Sequence, residues 1–450
     1  MNEFSLVNIK TSEKLDMNSI LISSDLFTHC NYKPKQKVQL WVGKIAYTVT
    51  LRPNTLLVDN NSFFMSPILI KKLFLNQGYN YGVKFNQEKI HIGPVIGIMA
   101  PKKNGKSRPY GNQTGFFQEL MASARKLGQI CFAFYFGDID WNRKIIRGNY
   151  YGKNGWQKGI FPIPDVIYPR SKFWGSSTAG SRRKLNKLGV TILNPPMVGK
   201  WESYCILNKN QELSPYLPET RKLSSFRTIE IMTNKHHAVY LKPVSGTQGK
   251  NIIRVIKNKK LPGYSYQYHN NGSLCKGTVT NLSQLHKHLY PLMGKRSYII
   301  QKEISLIRYE GGIADIRVMV QKNYEGSWKV TGMACRVGKQ NSITSNISGG
   351  GSAKKVETVL SKTFSNSKYI NRILETIVSV SISAAQSLEK HLGNCGEFGV
   401  DIGVDRYGKV WFIEANLRPA RHVFSLIGES QTRLKSVETP LLYARYLAGF

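Results

Sequence analysis

Residues 399–416, GVDIGVDRYGKVWFIEAN, decide the fold of the second half of the chain. Residues 399–404 alternate like a strand, 405–408 form a turn, and 409–416 read as the return strand. If Asp405 pairs with Gly408, Asp401 lies opposite Phe412 and diagonal to Glu414, and Phe412, Glu414 and Asn416 share one face. Two carboxylates and an amide oxygen on one face suit Mg²⁺ bridging phosphates. A hairpin whose polar side chains face solvent is the alternative.

A glycine-containing loop lies upstream of this hairpin. AVYLKP, residues 238–243, predicts a strand, SGTQGK at 245–250 a loop, and NIIRVI at 251–256 a returning strand. Such a loop can donate backbone N–H groups to a polyphosphate, and Lys242 would add a point charge. The loop lacks the GxxxxGK[ST] pattern of a Walker A motif. The alternative is a surface hairpin with a mobile tip.

Between the loop and the hairpin, IIQKEI at 299–304 predicts a strand that breaks at Gln301-Lys302-Glu303, and GGIADIR follows at 311–317. Such a segment can offer backbone groups to an adenine edge, with acids near the ribose. An edge strand followed by a loop is the alternative.

The first 190 residues predict two further pieces. Residues 1–90 read as short strands, with a hairpin around Gly43-Lys44 within 37–51. Beyond residue 91, apolar runs at 94–99, 130–136 and 164–168, with a helix over 116–127, predict a three-layer α/β unit with parallel strands.

The chain is strongly basic, with 64 Lys and Arg against 27 Asp and Glu and a formal net charge of +37. Residues 101–200 alone hold 18 basic and 4 acidic side chains. A basic surface attracts anions, whether nucleic acid, acidic polymer or phosphate-bearing ligand, or it serves only to keep the protein in solution. No helix-turn-helix, RRM or zinc-finger pattern favours nucleic acid.

Targeting and cysteine patterns are also informative. No apolar run reaches the ~18–20 residues of a membrane span, and the N-terminus shows no signal peptide, which predicts cytoplasmic synthesis. The six cysteines lie far apart and form no CxxC pair, so the sequence predicts neither a zinc knuckle nor a disulfide scaffold.

Taken in order, the IQKEI, ADIRVMV and VTGMACRVGKQNSITSNISGGGSA segments and the hairpin resemble the ATP-grasp superfamily of carboxylate–amine ligases. GPVIGIMAP, GNQTGFFQEL, FPIPDVIYPR, KWESYCIL and LPET narrow the resemblance to YheC/YheD-type endospore coat-associated proteins. The resemblance implies roles by position. The cofactor-binding positions are Lys200, Lys242, Gly246, Gly249, Lys302, Glu303 and Asp315. The metal ligands are Asp401, Glu414 and Asn416, and the catalytic positions are Arg317, Arg336 and Asn346.

The resemblance implies a β-rich domain over 1–90, a Rossmann-like pre-ATP-grasp α/β domain over 91–190 and an ATP-grasp domain over 191–450. It implies MgATP binding and ligation through an acylphosphate, in an endospore-coat-associated protein whose further partner is an acidic peptide or an anionic polymer. Related ligases often carry Arg-Ser-Asn where this chain has Thr344-Ser345-Asn346, so Arg336 would have to supply the missing cation. The alternative is a non-catalytic, basic spore-envelope protein that binds nucleotide or anionic polymer.

Overall fold

The computed structural model describes residues 3–54, 61–105, 108–171, 178–246, 249–259, 262–270, 273–340, 342–343, 345 and 350–450. The chain divides into two compact units. The first contains residues 1–195, 322–327 and 437–450, and the second contains 196–321 and 328–436.

Seven strands of the first unit close into a barrel in the order β1-β5-β2-β4-β3-β7-β6. Their bounds are β1 (Glu3–Thr11), β2 (Ser19–Ser23), β3 (Lys37–Val42), β4 (Ile45–Asn54), β5 (Ser62–Met65), β6 (Asn80–Phe85) and β7 (Lys89–Ile92), with short helices α1 (Ser24–His29) and α2 (Pro67–Lys72). The predicted hairpin is confirmed, because Val42 pairs with Ile45 across the Gly43-Lys44 turn. Gly43 has a φ of 55°, and a Cβ there would lie 2.4 Å from the carbonyl oxygen of Ile163, so the turn requires glycine.

The second sheet of the first unit follows the predicted α/β pattern. Its strands are β8 (Val95–Met99), β9 (Ile130–Phe134), β10 (Ile139–Asp140), β11 (Ile145–Gly152), β12 (Gly155–Pro162), β13 (Val166–Pro169) and β14 (Thr191–Ile192), with helices α3 (Thr114–Lys126) and α4 (Ala179–Lys187). The four strands β9-β8-β13-β14 are parallel neighbours. The long β11–β12 hairpin adds antiparallel strands that the sequence analysis did not assign.

The second unit begins with helix α5 (Lys200–Asn208) and contains a six-stranded antiparallel sheet in the order β15-β20-β16-β17-β18-β19. Its strands are β15 (Thr220–Lys222), β16 (Ala238–Pro243), β17 (Ile253–Lys257), β18 (Tyr264–Asn270), β19 (Ser273–Val279) and β20 (Tyr298–Lys302), with helices α6 (Arg227–His236) and α7 (Leu282–Met293). The predicted strands on both sides of the glycine loop are therefore β16 and β17, and they pair with each other.

A further sheet of the second unit has the order β24-β23-β22-β25-β26, and β21 pairs with β22. Its strands are β21 (Arg308–Tyr309), β22 (Gly312–Lys322), β23 (Trp328–Val337), β24 (Ser352–Lys354), β25 (Glu397–Val404) and β26 (Val410–Asn416). The helices are α8 (Val356–Thr363), α9 (Ser367–Leu392) and α10 (His422–Leu426); α11 (Ser430–Leu447) begins in the second unit, and its residues from 437 onward belong to the first.

Helix α9 covers the apolar face of this sheet. Ile373, Ile377, Val380, Ala384 and Leu388 recur at spacings of three and four residues, so they line one helical stripe, and all are buried. The helix begins where the Asn366 side chain accepts a hydrogen bond from the backbone N–H of Tyr369. No helix within the described residues combines the length and hydropathy of a membrane span.

A buried carboxylate in the first unit is the basis of a stability prediction. Asp165 is 2% exposed, and its Oδ2 accepts the backbone N–H of Val95 at 2.9 Å. Its Oδ1 lies 3.3 Å from His91 Nε2 and 3.5 Å from Lys44 Nζ. Burial acts to raise the pKa of Asp165, but His91, Lys44 and the Val95 N–H outweigh it, so the pKa is lowered.

We expect Asp165→Asn to lower the free energy of unfolding at pH 7 by about 1–3 kcal/mol, because the neutral amide cannot form an ion pair with Lys44. Since the carboxyl pKa is lower in the folded chain, this stabilisation is present at neutral pH and is lost as the pH falls through the acid range. Urea denaturation at pH 7 and at acid pH measures both effects. The exposed Glu88→Gln is the matched control, and equal stability of the two variants at pH 7 would contradict the prediction.

Candidate functional site

A cavity of about 550 Å³ in the second unit gathers most of the residues that the sequence singled out. The predicted residues that line it are Lys200, Lys242, Gly246, Gly249, Lys302, Glu303, Asp401 and Glu414. Asp315, Arg317, Arg336 and Asn416 are not part of the lining. Arg317 and Arg336 contact the lining residue Asp401, Asn416 contacts the lining residue Glu414, and Asp315 contacts Arg336. Asn346 and Thr344 lie outside the described residues.

The carboxylate hairpin has a different register from the one expected. Asp401 lies directly opposite Glu414, and Ile402 lies opposite Phe412, because a β-bulge interrupts the pairing between these positions. The bulge leaves Ile413 as the extra residue of β26. The pairing of Asp405 is also shifted, since its N–H donates to the carbonyl of Lys409.

The bulge decides which way Glu414 faces. Phe412 is buried in the apolar core, whereas Ile413 and Glu414 both line the cavity. The expectation that Phe412, Glu414 and Asn416 share one face is therefore wrong for Phe412. With strict alternation the side chain of Glu414 would face the core, as that of Phe412 does. Because Ile413 is an extra residue, the Glu414 carboxylate faces the cavity instead.

Asp401 lies between two arginines on neighbouring strands. Arg317 Nε donates to its Oδ1 at 2.6 Å, and Arg336 Nη2 lies 2.9 Å from its Oδ2. Arg336 also donates to both carboxylate oxygens of Asp315, at 2.7 and 2.5 Å. Burial acts to raise the pKa of Asp401, but the two guanidinium groups outweigh it and lower the pKa to about 2. The same carboxylates raise the pKa of Arg336 well above its usual value, against the effect of burial.

Lys200 contacts both the glycine loop and Glu414, the second carboxylate of the hairpin. Its Nζ donates to the carbonyl oxygen of Gly246 at 2.8 Å and lies 3.8 Å from Glu414 Oε2. The Asn416 amide donates to Glu414 Oε1 at 3.1 Å. Within the described part of the chain no three His, Cys, Asp or Glu side chains gather closely enough to hold a metal ion. A metal bound here would need Asp401, Glu414 and the amide oxygen of Asn416, together with non-protein ligands.

Lys242 is a half-buried lysine at the same end of the cavity. Its Nζ donates to Gln301 Oε1 at 2.5 Å, and Gln301 in turn donates to Thr220 Oγ1 at 2.9 Å. Burial lowers the pKa of Lys242 to about 8; the carboxylate of Glu414 opposes this shift, and the charge of Lys200 adds to it. Perturbed lysines in clefts are typical of functional sites.

The opposite end of the cavity is apolar and lies along the segment that follows β20. Its aliphatic lining consists of Ile304, Leu306, Ile307, Ile313 and Ile343. Glu303 receives two hydrogen bonds from Arg254, at 2.8 and 2.9 Å. Lys302 Nζ lies 5.1 Å from the centre of the Trp411 ring. This end suits a flat, largely apolar group bordered by polar atoms.

Three residues that line the cavity were not predicted as site residues from the sequence: Tyr240, Arg254 and Gln301. Tyr240 and Arg254 are cross-strand partners on β16 and β17, and Gln301 lies opposite Tyr240 on β20. A signal for the first residue was present, because Tyr240 lies two residues before Lys242 on the same strand face. The charge pair of Arg254 with Glu303 had no such signal.

The chain is similar to a known protein family and to two named proteins. A family model described as "YheC/D like ATP-grasp" matches residues 189–447, more than half of the chain. The endospore coat-associated protein YheD of Bacillus subtilis (strain 168) is 29% identical over 420 residues, which cover 90% of this chain and 88% of YheD. YheC of the same organism is 25% identical over 345 residues, covering 75% of this chain and 93% of YheC.

The chain is also similar in fold to solved structures. The structure of ATP-grasp ligase PsnB complexed with minimal precursor is 12% identical, covers 78% of this chain and 99% of its own, and gives a TM-score of 0.44. A likeness of this size supports no inference about activity. The family match itself confirms the resemblance that the sequence predicts: the chain belongs to the YheC/D-like ATP-grasp family.

Proposed function

We propose that this chain binds MgATP in the cavity of the second unit and uses it to join a carboxylate to an amine through an acylphosphate. One observation carries the proposal. Lys200 contacts both the glycine loop and the carboxylate hairpin, at 2.8 Å from Gly246 O and 3.8 Å from Glu414 Oε2. A loop suited to phosphate and a carboxylate pair suited to a cation therefore meet within the reach of one lysine.

The cavity has the polarity that a nucleoside triphosphate needs. The aliphatic end beside Lys302 and Glu303 would take the adenine and ribose, with backbone groups of the segment after β20 at the base edge. The lysine-rich end, with Lys200, Lys242 and the glycine loop, would take the phosphates. The volume of about 550 Å³ falls within the ~300–1,000 Å³ that ligand pockets usually have.

The donor set fits Mg²⁺. Asp401 and Glu414 are cross-strand partners, and Asn416 contacts Glu414, so two carboxylates and one amide, the hard-oxygen donors that Mg²⁺ prefers, lie together. A bound Mg²⁺ would neutralise charge on the phosphates. The arginines keep Asp401 as a carboxylate at every physiological pH, because its pKa is about 2.

The reaction requires positioning and charge neutralisation from this chain. A substrate carboxylate oxygen attacks the terminal phosphorus, ADP leaves, and an acylphosphate forms. The neutral amine then attacks the carbonyl carbon, the amide bond forms as the nitrogen releases a proton to solvent, and inorganic phosphate leaves. Lys200 and Lys242 would hold the phosphates in line and offset their charge, while Arg317 and Arg336 hold the carboxylate that faces them. Asn346, as a catalytic group, remains a prediction from the resemblance.

A second candidate function is a non-catalytic spore-envelope component that binds nucleotide or an anionic polymer. The net charge of +37 and the coat-associated names of the two relatives favour it. Release of ADP and phosphate from MgATP, measured against a panel of amino acids and acidic peptides, separates the two functions. Turnover with one acceptor supports the ligase, and nucleotide binding without turnover supports the structural role. Binding of a polymer through charge alone would weaken steeply as salt rises.

Glu414→Gln tests the metal end of the cavity. We expect MgATP to raise the melting temperature of the parent protein, since a ligand at 100 times its Kd stabilises by ~2.7 kcal/mol. Glu414→Gln should weaken MgATP binding about tenfold, about 1.4 kcal/mol, because one anionic donor is lost. Binding of ATP without Mg²⁺ should change less.

Calorimetric titration of ATP with and without Mg²⁺ measures both effects. The matched control is Glu375→Gln, an exposed glutamate on α9, which should bind like the parent. If Glu414→Gln binds MgATP as tightly as the parent, the hairpin is not the metal site.

Lys242 predicts a pH dependence. The lysine is charged below its pKa of about 8 and neutral above it, so ATP affinity should fall about tenfold between pH 7 and pH 9 as the ammonium is lost. Lys242→Met should bind ATP more weakly at pH 7 and show no such further loss. The exposed Lys222→Met on β15 should keep the parent's profile. Calorimetric Kd values at pH 7, 8 and 9 test this, and a parallel decline in parent and Lys242→Met would contradict it.

A further inference from the structure

The cavity contains an excess of cations. Among its described lining residues, seven side chains are Lys or Arg and three are Asp or Glu. An excess of this sign suits a polyanionic ligand, and the partners of each cation decide which of them are available to it.

Most of these cations already have a partner in the protein. Lys200 contacts Gly246 and Glu414, Lys242 contacts Gln301, and Arg254 is paired with Glu303. The other three lie at the end of β20, on β21 and in the β25–β26 turn. Lys302 lies over the Trp411 ring, Arg308 donates to the Gly311 carbonyl, and Arg406 lies over the Tyr407 ring.

Arg317 and Arg336, which contact Asp401 but do not line the cavity, also have partners in the protein. Arg336 spans Asp315 and Asp401, and Arg317 holds Asp401, at distances of 2.5–2.9 Å for the closest contacts. Withdrawing Arg336 toward a phosphate would break its ion pair with the buried Asp315 and leave Asp401 with Arg317 alone, which costs several kcal/mol. Arg336 therefore cannot replace the arginine that related ligases often carry where this chain has Thr344.

Lys250 is the one cation of the described lining that makes no hydrogen bond, ion pair or ring contact with another described residue. It is exposed and lies at the end of the glycine loop. Its neighbours Gly249 and Asn251 have φ values of 67° and 58°, so the backbone turns on both sides of it. Gly246, earlier in the same loop, is the residue that Lys200 holds.

We propose that Lys250 binds the terminal phosphate of ATP and supplies the cation that Arg336 cannot supply. The assignment rests on the proposed function of the cavity. An ammonium on a flexible stem is a point charge that can follow a phosphoryl group, and among the described residues Lys250 has no contact that would have to break. Lys250 thus differs from Lys200 and Lys242, which have protein partners at the same end of the cavity.

The test compares two nucleotides that differ in the terminal phosphate. Calorimetric Kd values for MgATP and MgADP are measured for the parent, Lys250→Met, Lys250→Arg and Lys259→Met. Lys250→Met should weaken MgATP binding about tenfold and leave MgADP binding unchanged, and Lys250→Arg should restore most of the loss. Lys259→Met is the matched control, because Lys259 is an exposed lysine of the same sheet region outside the lining.

The outcomes are separable. If the parent binds neither nucleotide, the proposed function fails, and the assignment of Lys250 fails with it. If the parent binds both and Lys250→Met weakens MgATP and MgADP equally, or weakens neither, the proposed function stands and Lys250 is not the terminal-phosphate cation. Lys250 is exposed, so an unchanged melting temperature of the variant without ligand verifies that it is folded.

Discussion

The ion pairs around Asp401 are the interaction on which the second unit's site depends. Arg336 on β23, Arg317 on β22 and Asp401 on β25 come from three adjacent strands, and Asp315 completes the group. A buried carboxylate without such partners would cost several kcal/mol. Strand order and register in this sheet are therefore tied to the charge of one side chain, and that carboxylate is held ionised beside Glu414.

Much of this arrangement could be read from the sequence. The hairpin, the strands around the glycine loop and the parallel α/β strands of the first unit were all predictable, because turn residues and apolar runs are local signals. The fold class is confirmed. The predicted register of the hairpin was wrong. Trp411, Phe412 and Ile413 are consecutive apolar residues, so no alternation of apolar and polar residues marks the position of the bulge.

Partners distant in sequence were also beyond prediction. Arg317 and Asp401 are separated by 84 residues, and Arg254 and Glu303 by 49. Neither pair leaves a periodic signal in the sequence. The same holds for Arg336, which the sequence suggested as a free cation and which the structure shows between two aspartates. The net charge of +37 can be read directly from the sequence, but the seven cations of the described cavity lining account for only part of it. The rest of the basic surface is the main support for a polyanionic partner.

We propose that MgATP occupies the cavity between β16–β17, β20 and the β25–β26 hairpin. A crystal structure of the protein with a non-hydrolysable ATP analogue and Mn²⁺ tests it most directly, because anomalous scattering locates the metal independently of the nucleotide. We expect the base beside Lys302 and Glu303, the phosphates at Lys200 and Lys242, and a Mn²⁺ peak at Asp401 and Glu414. An empty cavity at saturating nucleotide, or a nucleotide bound elsewhere on the chain, would contradict it.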